Sequence, residues 1–125
     1  MNYLLDVNAL VAWFHIEPPA LHARINAWTV PAAQLATCAI SELGFLRISM
    51  RVYGFDLAMT QKALASIKKD IAGYIDVLPS PSLANWVLSH KHTTDAYLCQ
   101  LASAHGMKLA TFDTGIKDSA VFQIP

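Results

Sequence analysis

Charge is scarce in this chain of 125 residues, and what there is cancels: nine Lys and Arg stand against nine Asp and Glu. A protein that grips nucleic acid by broad phosphate neutralisation carries a basic excess. That excess is missing here, which argues against a dedicated nucleic-acid-binding module and is neutral for an enzyme with local contacts. Cysteine is equally sparse. Cys38 and Cys99 sit in apolar settings, and no CxxC or clustered Cys/His spacing suits zinc. They read as buried thiols of a reducing compartment. The first residues lack a basic stretch, and Asp6 interrupts Tyr3-Leu4-Leu5 at once. With no signal peptide and no run long enough to span a membrane, a cytoplasmic protein is expected.

Apolar side chains, by contrast, make up 54% of the chain, which excludes intrinsic disorder. The length suits one compact domain over residues 1–125, burying roughly two-thirds of its unfolded surface. So small a body cannot hide all its apolar residues, which predicts an interface with a second copy or a partner.

Strand and helix signals alternate along the chain. Tyr3-Leu4-Leu5 reads as a buried strand, followed by a helix start from Val7 to Phe14 and a second helix from Ala20 to Trp28. Gln34 to Cys38 is a strand candidate. Ser41 to Tyr53 predicts a helix with Leu43, Leu46 and Met50 along its core stripe, closed by Gly54. Thr60 to Ala72 is another helix, Ile75 to Leu78 a third strand, Ser82 to His90 a short helix, and Thr93 to Ala104 a further one. Lys108 to Phe112 and Val121 to Ile124 supply the last two strands. This order implies a doubly wound α/β sandwich, a parallel sheet with helices on both faces. Ligands of such sheets collect beyond the carboxyl ends of the strands.

Four acids belong at that edge. Asp6 ends the first strand and Asp113 follows the fourth, while Glu42 and Asp95 open helices that leave the same edge. Each has an ordinary structural reading: helix cap for Asp6, dipole partner for Glu42 and Asp95, turn residue for Asp113. Glu17, Asp56, Asp70, Asp76 and Asp118 fall in polar or turn contexts and read as solvated, capping or turn residues. Four carboxylates converging without counter-charge would repel one another, and a divalent cation removes that conflict. Oxygen ligands suit magnesium or manganese.

The segments Leu4-Leu5-Asp6-Val7-Asn8-Ala9-Leu10-Val11, Ile40-Ser41-Glu42-Leu43, Thr94-Asp95-Ala96-Tyr97-Leu98 and Ala110-Thr111-Phe112-Asp113 resemble, in order, the four acidic motifs of PIN domains. Thr93 to Asp113, with Leu101-Ala102 and His105-Gly106, is similar to the VapC-type toxins of toxin–antitoxin pairs. The resemblance implies a PIN-like three-layer sandwich with a five-stranded parallel sheet. It implies that Asp6, Glu42, Asp95 and Asp113 hold one or two magnesium or manganese ions for endonucleolytic cleavage of RNA, often tRNA or rRNA. It also implies a homodimer and a cognate antitoxin whose tail enters the active site. Asn8 and Thr111 match polar positions beside the first and fourth acids, and are read as orienting a carboxylate or water.

Arg47, Arg51 and Lys91, with His90 and His92, are candidate contacts for the RNA backbone. The ordinary reading of each is solvated charge. His15, His22 and His105 read as structural, and Trp13, Trp28 and Trp86 as core or interface anchors. Among rivals, a receiver-like phosphoacceptor module would want an acidic pair after the first strand, which Asp6 lacks. A metal-dependent phosphatase with an aspartyl nucleophile would want an acid where Asn8 stands. A binding protein that uses the pocket without catalysis is the third.

Overall fold

Tyr3-Leu4-Leu5 forms the first strand, β1 (Tyr3–Leu5), and takes the middle of the sheet. The computed structural model describes residues 2–125. Strands β2 (Leu35–Cys38), β3 (Gly73–Ile75), β4 (Lys108–Thr111) and β5 (Val121–Gln123) complete a five-stranded sheet in the order β3-β2-β1-β4-β5. Every pairing is parallel. The helices are α1 (Val7–Phe14), α2 (Pro19–Ala27), α3 (Ala39–Arg51), α4 (Leu57–Asp70) and α5 (Thr93–Ala104).

The strands are apolar on both sides because both sides are covered. Leu5 and Ala110 point into one core with Leu10, Ile25, Phe45 and Ile67, so α1 to α4 lie on that face. Leu4 and Leu109 point the other way, into a core with Leu98, Leu101 and Ala102 of α5. The chain works outward from β1 to β2 and β3, then returns to place β4 on its other side. The direction of strand order therefore reverses at β1, the switch point where ligands settle in open α/β sheets.

Local signals set most boundaries. Asp56 caps α4 by accepting from the Met59 amide at 2.8 Å, so that helix begins three residues before the expected Thr60. Three expectations fail. Ser82 to His90 forms no α-helix; Trp86 Nε1 donates to Asp118, Tyr97 Oη to the Pro79 carbonyl, and Gln100 bonds Ser80 and Ser82. Ser82 and Trp86 are held by Gln100 and Asp118, and within the segment a turn bonds the Val87 amide to the Ala84 carbonyl. Ile75 ends β3 instead of starting it, because the ladder to β2 begins at Gly73, where a Cβ would lie 2.4 Å from the Leu35 carbonyl oxygen. On α3 the buried stripe is Glu42, Phe45 and Ser49; Leu43 and Met50 are 65% and 44% exposed.

Exposed large hydrophobics gather there, with Val52, Leu57 and Met59 alongside, as the apolar surplus requires. Cys38 and Cys99 are buried and free, and burial pushes the Cys99 thiol up to about 12, so it stays protonated and unreactive. His15 is buried under the Tyr53 ring with Nε2 2.9 Å from Ser49 Oγ, a structural role. Among the described residues, no helix is long and apolar enough to cross a membrane.

Candidate active site

Beyond the carboxyl ends of β1 and β4 lies a cavity of about 430 Å³. Asp6, Asp95 and Asp113 line it, together with Asn8, Thr94, Arg47 and Lys91. Each aspartate arrives by a different route. Asp6 is the first residue after β1 and the N-cap of α1: its backbone carbonyl accepts from Ala9 and Leu10, and its Oδ1 accepts the Val7 amide at 2.7 Å. Asp95 stands in the first turn of α5, whose buried residues Ala96, Leu98 and Cys99 hold the helix against the sheet. Asp113 follows β4 in a turn where its Oδ1 accepts the Gly115 amide at 2.7 Å.

Asp6 is 5% exposed, and its second oxygen is held by Thr111, whose hydroxyl donates to Oδ2 at 2.7 Å. The same hydroxyl accepts from Asn8 Nδ2 and from the Asp113 amide, both at 3.0 Å. Asn8 Oδ1 accepts the Phe112 amide at 3.1 Å. One buried hydroxyl thus joins the first acid to the loop that carries the fourth. Asn8 and Thr111, singled out in the sequence, are the residues that make these contacts.

The carboxylates feel one another. Burial raises the Asp6 pKa above the ordinary aspartate value; the Thr111 and Val7 hydrogen bonds oppose this, and Asp113 adds to it. Asp95 is raised to about 6, by burial first and then by the charges of Asp6 and Asp113, with His92 pulling slightly the other way. Like charges share this space.

Glu42 does not line the cavity. Its carboxylate is bonded to Thr37 and Lys68, while Asp6, Asp95 and Asp113 line the cavity. The helical stripe of α3 explains this, since Glu42 shares the buried face of Phe45 and Ser49 while Arg47 faces the cavity. Of the three candidate cations, Arg47 and Lys91 reach the cavity. Arg51, in the last turn of α3, does not.

Val11, Leu21 and Ile48 add an apolar wall that the sequence reading missed. The spacing of Val7 and Val11, four apart behind Asp6, was the available signal. Val7 is itself pinned by α3: a Cβ on Gly44 would stand 2.4 Å from Val7 Cγ2, so only glycine lets the two helices approach this closely.

Among the described residues, no three acid, His or Cys side chains stand close enough to enclose an ion unaided. A small hard cation does not require that. Magnesium keeps several of its waters and takes one or two carboxylates directly. Three aspartates around one open cavity, with Asp113 raising the pKa of Asp6 and both of these raising that of Asp95, are oxygen donors fit for such a hydrated ion.

Comparison with known proteins decides the family. The PIN domain matches residues 3–121. This chain belongs to the PIN-domain family, in its VapC-type branch. Ribonuclease VapC38 of Mycobacterium tuberculosis is 35% identical over 126 aligned residues, covering 90% of this chain and 86% of the relative. Ribonuclease VapC39 of the same organism is 33% identical, with 96% and 94% covered. Ribonuclease VapC44 is 33% identical, with 97% and 92% covered. The sheet order around β1 is thus the scaffold of a PIN domain, and the cavity beyond β1 and β4 is lined by Asp6, Asp95 and Asp113.

Proposed function

We propose that this single PIN domain is a metal-dependent endoribonuclease, the toxin of a toxin–antitoxin pair, acting on tRNA or rRNA. The observation that carries the reading is the three-aspartate cavity with Arg47 and Lys91 on its walls. Asp6, Asp95 and Asp113 hold one or two magnesium or manganese ions. Such an ion, when bound, makes water more acidic and offsets charge on the phosphate and on the leaving oxygen. Thr111 and Asn8 keep Asp6 and the Asp113 loop in register. Arg47 and Lys91 meet the RNA backbone at the cavity, which answers the absence of a basic excess elsewhere.

The exposed apolar residues on α3 and the start of α4 suit a homodimer, and a cognate antitoxin is the partner the family affiliation suggests. A cytoplasmic location accords with this assignment. The receiver and phosphatase readings have no observation in their favour: no acid neighbours Asp6 in the sequence after β1, and Asn8 is spent on Thr111 and Phe112.

The test is cleavage of total bacterial RNA by the purified protein with magnesium or manganese, with chelator, and with Asp95→Asn. Discrete fragments that require metal and vanish in the variant are expected. Cleavage that survives both chelator and the variant overturns the assignment.

A further inference from the structure

Arg24 sits on α2, and its guanidinium has three partners at the carboxyl end of the sheet. Nη2 donates to the Ile124 carbonyl at 2.9 Å, and Nε donates to the Pro125 carbonyl at 3.0 Å. Cζ lies 4.8 Å from the centroid of the Phe112 ring. Both parts of this grip lead to Thr111. The Ile124 amide donates to the Thr111 carbonyl at 2.9 Å, so the residue that Arg24 holds is bonded to the one that holds Asp6. Phe112 stands between Thr111 and Asp113 in the chain, and its own amide is taken by Asn8.

We infer that Arg24 is a positioning residue for Asp113, clamping from outside the turn that Thr111 and Asn8 hold from within. The inference rests on the metal-dependent reading above and adds a residue to it. On the inner side, the Asp113 amide donates to Thr111 Oγ1 and the Gly115 amide to Asp113 Oδ1. On the outer side, the Phe112 ring packs against the core with the guanidinium over its face. A planar fork can serve successive carbonyls and an aromatic ring together, which a lysine ammonium cannot do as fully. The helix that carries Arg24 also needs the contact. Ile25 is the one buried residue of α2, and its N-cap, Pro18, offers no side-chain hydrogen bond. His22 Nδ1 lies 2.8 Å from the Ala12 carbonyl and fastens α2 to α1, while Arg24 fastens it to the ends of β4 and β5. Leu21, one turn before Arg24, lines the cavity with Asp113. One side chain therefore sets both a wall of the cavity and the turn that brings in an acid.

The discriminating experiment measures amide exchange in chelator by NMR and manganese binding by calorimetry, on the full chain and its variants. Arg24→Met keeps an apolar stem and removes the fork and the charge. Its Asp113 and Gly115 amides should exchange about three- to tenfold faster than in wild type. The Met59 amide, bonded to Asp56 at the start of α4, should keep its rate. Manganese affinity should fall by a similar factor of about three to ten. Phe112→Leu, which removes the ring, should act in the same direction, and the double variant should lose less than the sum of the two. Arg24→Lys, which keeps the charge and gives up the fork, should fall between Arg24→Met and wild type. Unchanged exchange at Asp113 and Gly115 in Arg24→Met overturns the inference. So does an acceleration that Met59 shares, the signature of a general loss of stability, and so does wild-type manganese affinity in that variant. Wild-type protein that binds no manganese refutes the metal-dependent reading, while exchange at Asp113 still decides whether Arg24 holds the turn.

Discussion

Thr111 donates its hydroxyl proton to Asp6 Oδ2 at 2.7 Å, joining residues 105 apart in sequence. The hydroxyl is fully buried, and the Asn8 amide and Asp113 backbone amide both donate to it. Replacing Thr111 by Val keeps the branched shape, frees Asp6 Oδ2 and leaves two donors unpaired. Manganese affinity should fall by roughly 10–100-fold, with Thr111→Ser restoring most of it. A manganese titration checks this, and wild-type affinity in Thr111→Val refutes the role.

Asp95 predicts a pH dependence of opposite sign to most aspartates. Its folded carboxyl is raised to about 6 from 3.8, by burial first and then by Asp6 and Asp113. The metal-free fold binds that proton more tightly than the unfolded chain does. The contribution is full below about 3.8 and is lost as pH rises through about 6. Asp95→Asn should therefore be more stable than wild type in chelator, by a margin that grows from pH 5 to pH 7. Scanning calorimetry at the two pH values measures it; a margin independent of pH removes the explanation.

His15 works the other way. Burial lowers its pKa below 6.5, and the neutral ring stacks on Tyr53 with centroids 3.6 Å apart. Its contribution is full above pH 6.5 and is lost as pH falls through that value toward the folded pKa. Because Asp95 acts oppositely, the measurement belongs in an Asp95→Asn background. There, stability should decline from pH 7 to pH 5.5, and His15→Gln should flatten that decline. An equal slope in both proteins would assign the titration to another group.

Gly44 and Val7 should behave as a coupled pair. A Cβ on Gly44 would meet Val7 Cγ2 at 2.4 Å, at the first residue of the helix that Asp6 caps. Gly44→Ala should cost about 1–3 kcal/mol in a denaturant melt, and Val7→Ala should relieve much of that cost. Strictly additive losses would mean that the helices move apart without strain.

Arg47 and Arg51 lie one helical turn apart on α3, yet only Arg47 reaches the cavity. Arg47→Ala should weaken RNA binding several-fold and reduce its salt dependence, and Arg51→Ala should change neither. Filter binding across a salt series with the catalytically silent Asp95→Asn protein provides the measurement. Equal effects of both substitutions would place the RNA along the whole helix.

The meeting of Asp6, Asp95 and Asp113 at one cavity was legible in the sequence because each carries a positional mark that backbone physics imposes. Asp6 and Asp113 follow apolar strand residues, and Asp95 opens a helix whose next buried positions are regular. The same marks placed the parallel sheet and its two covered faces. Glu42 carried the mark of a helix start but not the direction of its side chain. That depends on which stripe of α3 is buried, and the stripe is half polar: Ser41, Glu42 and Ser49 go inside while Leu43 and Met50 stay outside. A hydrophobic period cannot find a face held by hydrogen bonds to Lys68, Thr37 and His15. The segment from Ser82 to His90 failed for a related reason, since its order comes from Tyr97, Gln100 and Asp118, which are distant in sequence.

Placing β1 between β2 and β4 has a consequence for biogenesis. A ribosome lays down Asp6 first and must add a further 105 residues before Thr111 exists to hold it. Until β4 docks beside β1, Asp6 has no strand on that flank, and Asp113 has no place to stand. The site is therefore complete only when the returning strand lies beside the first one. For an enzyme proposed to cut RNA, a chain that ends before Thr111 lacks the hydroxyl that holds Asp6 and the loop that carries Asp113.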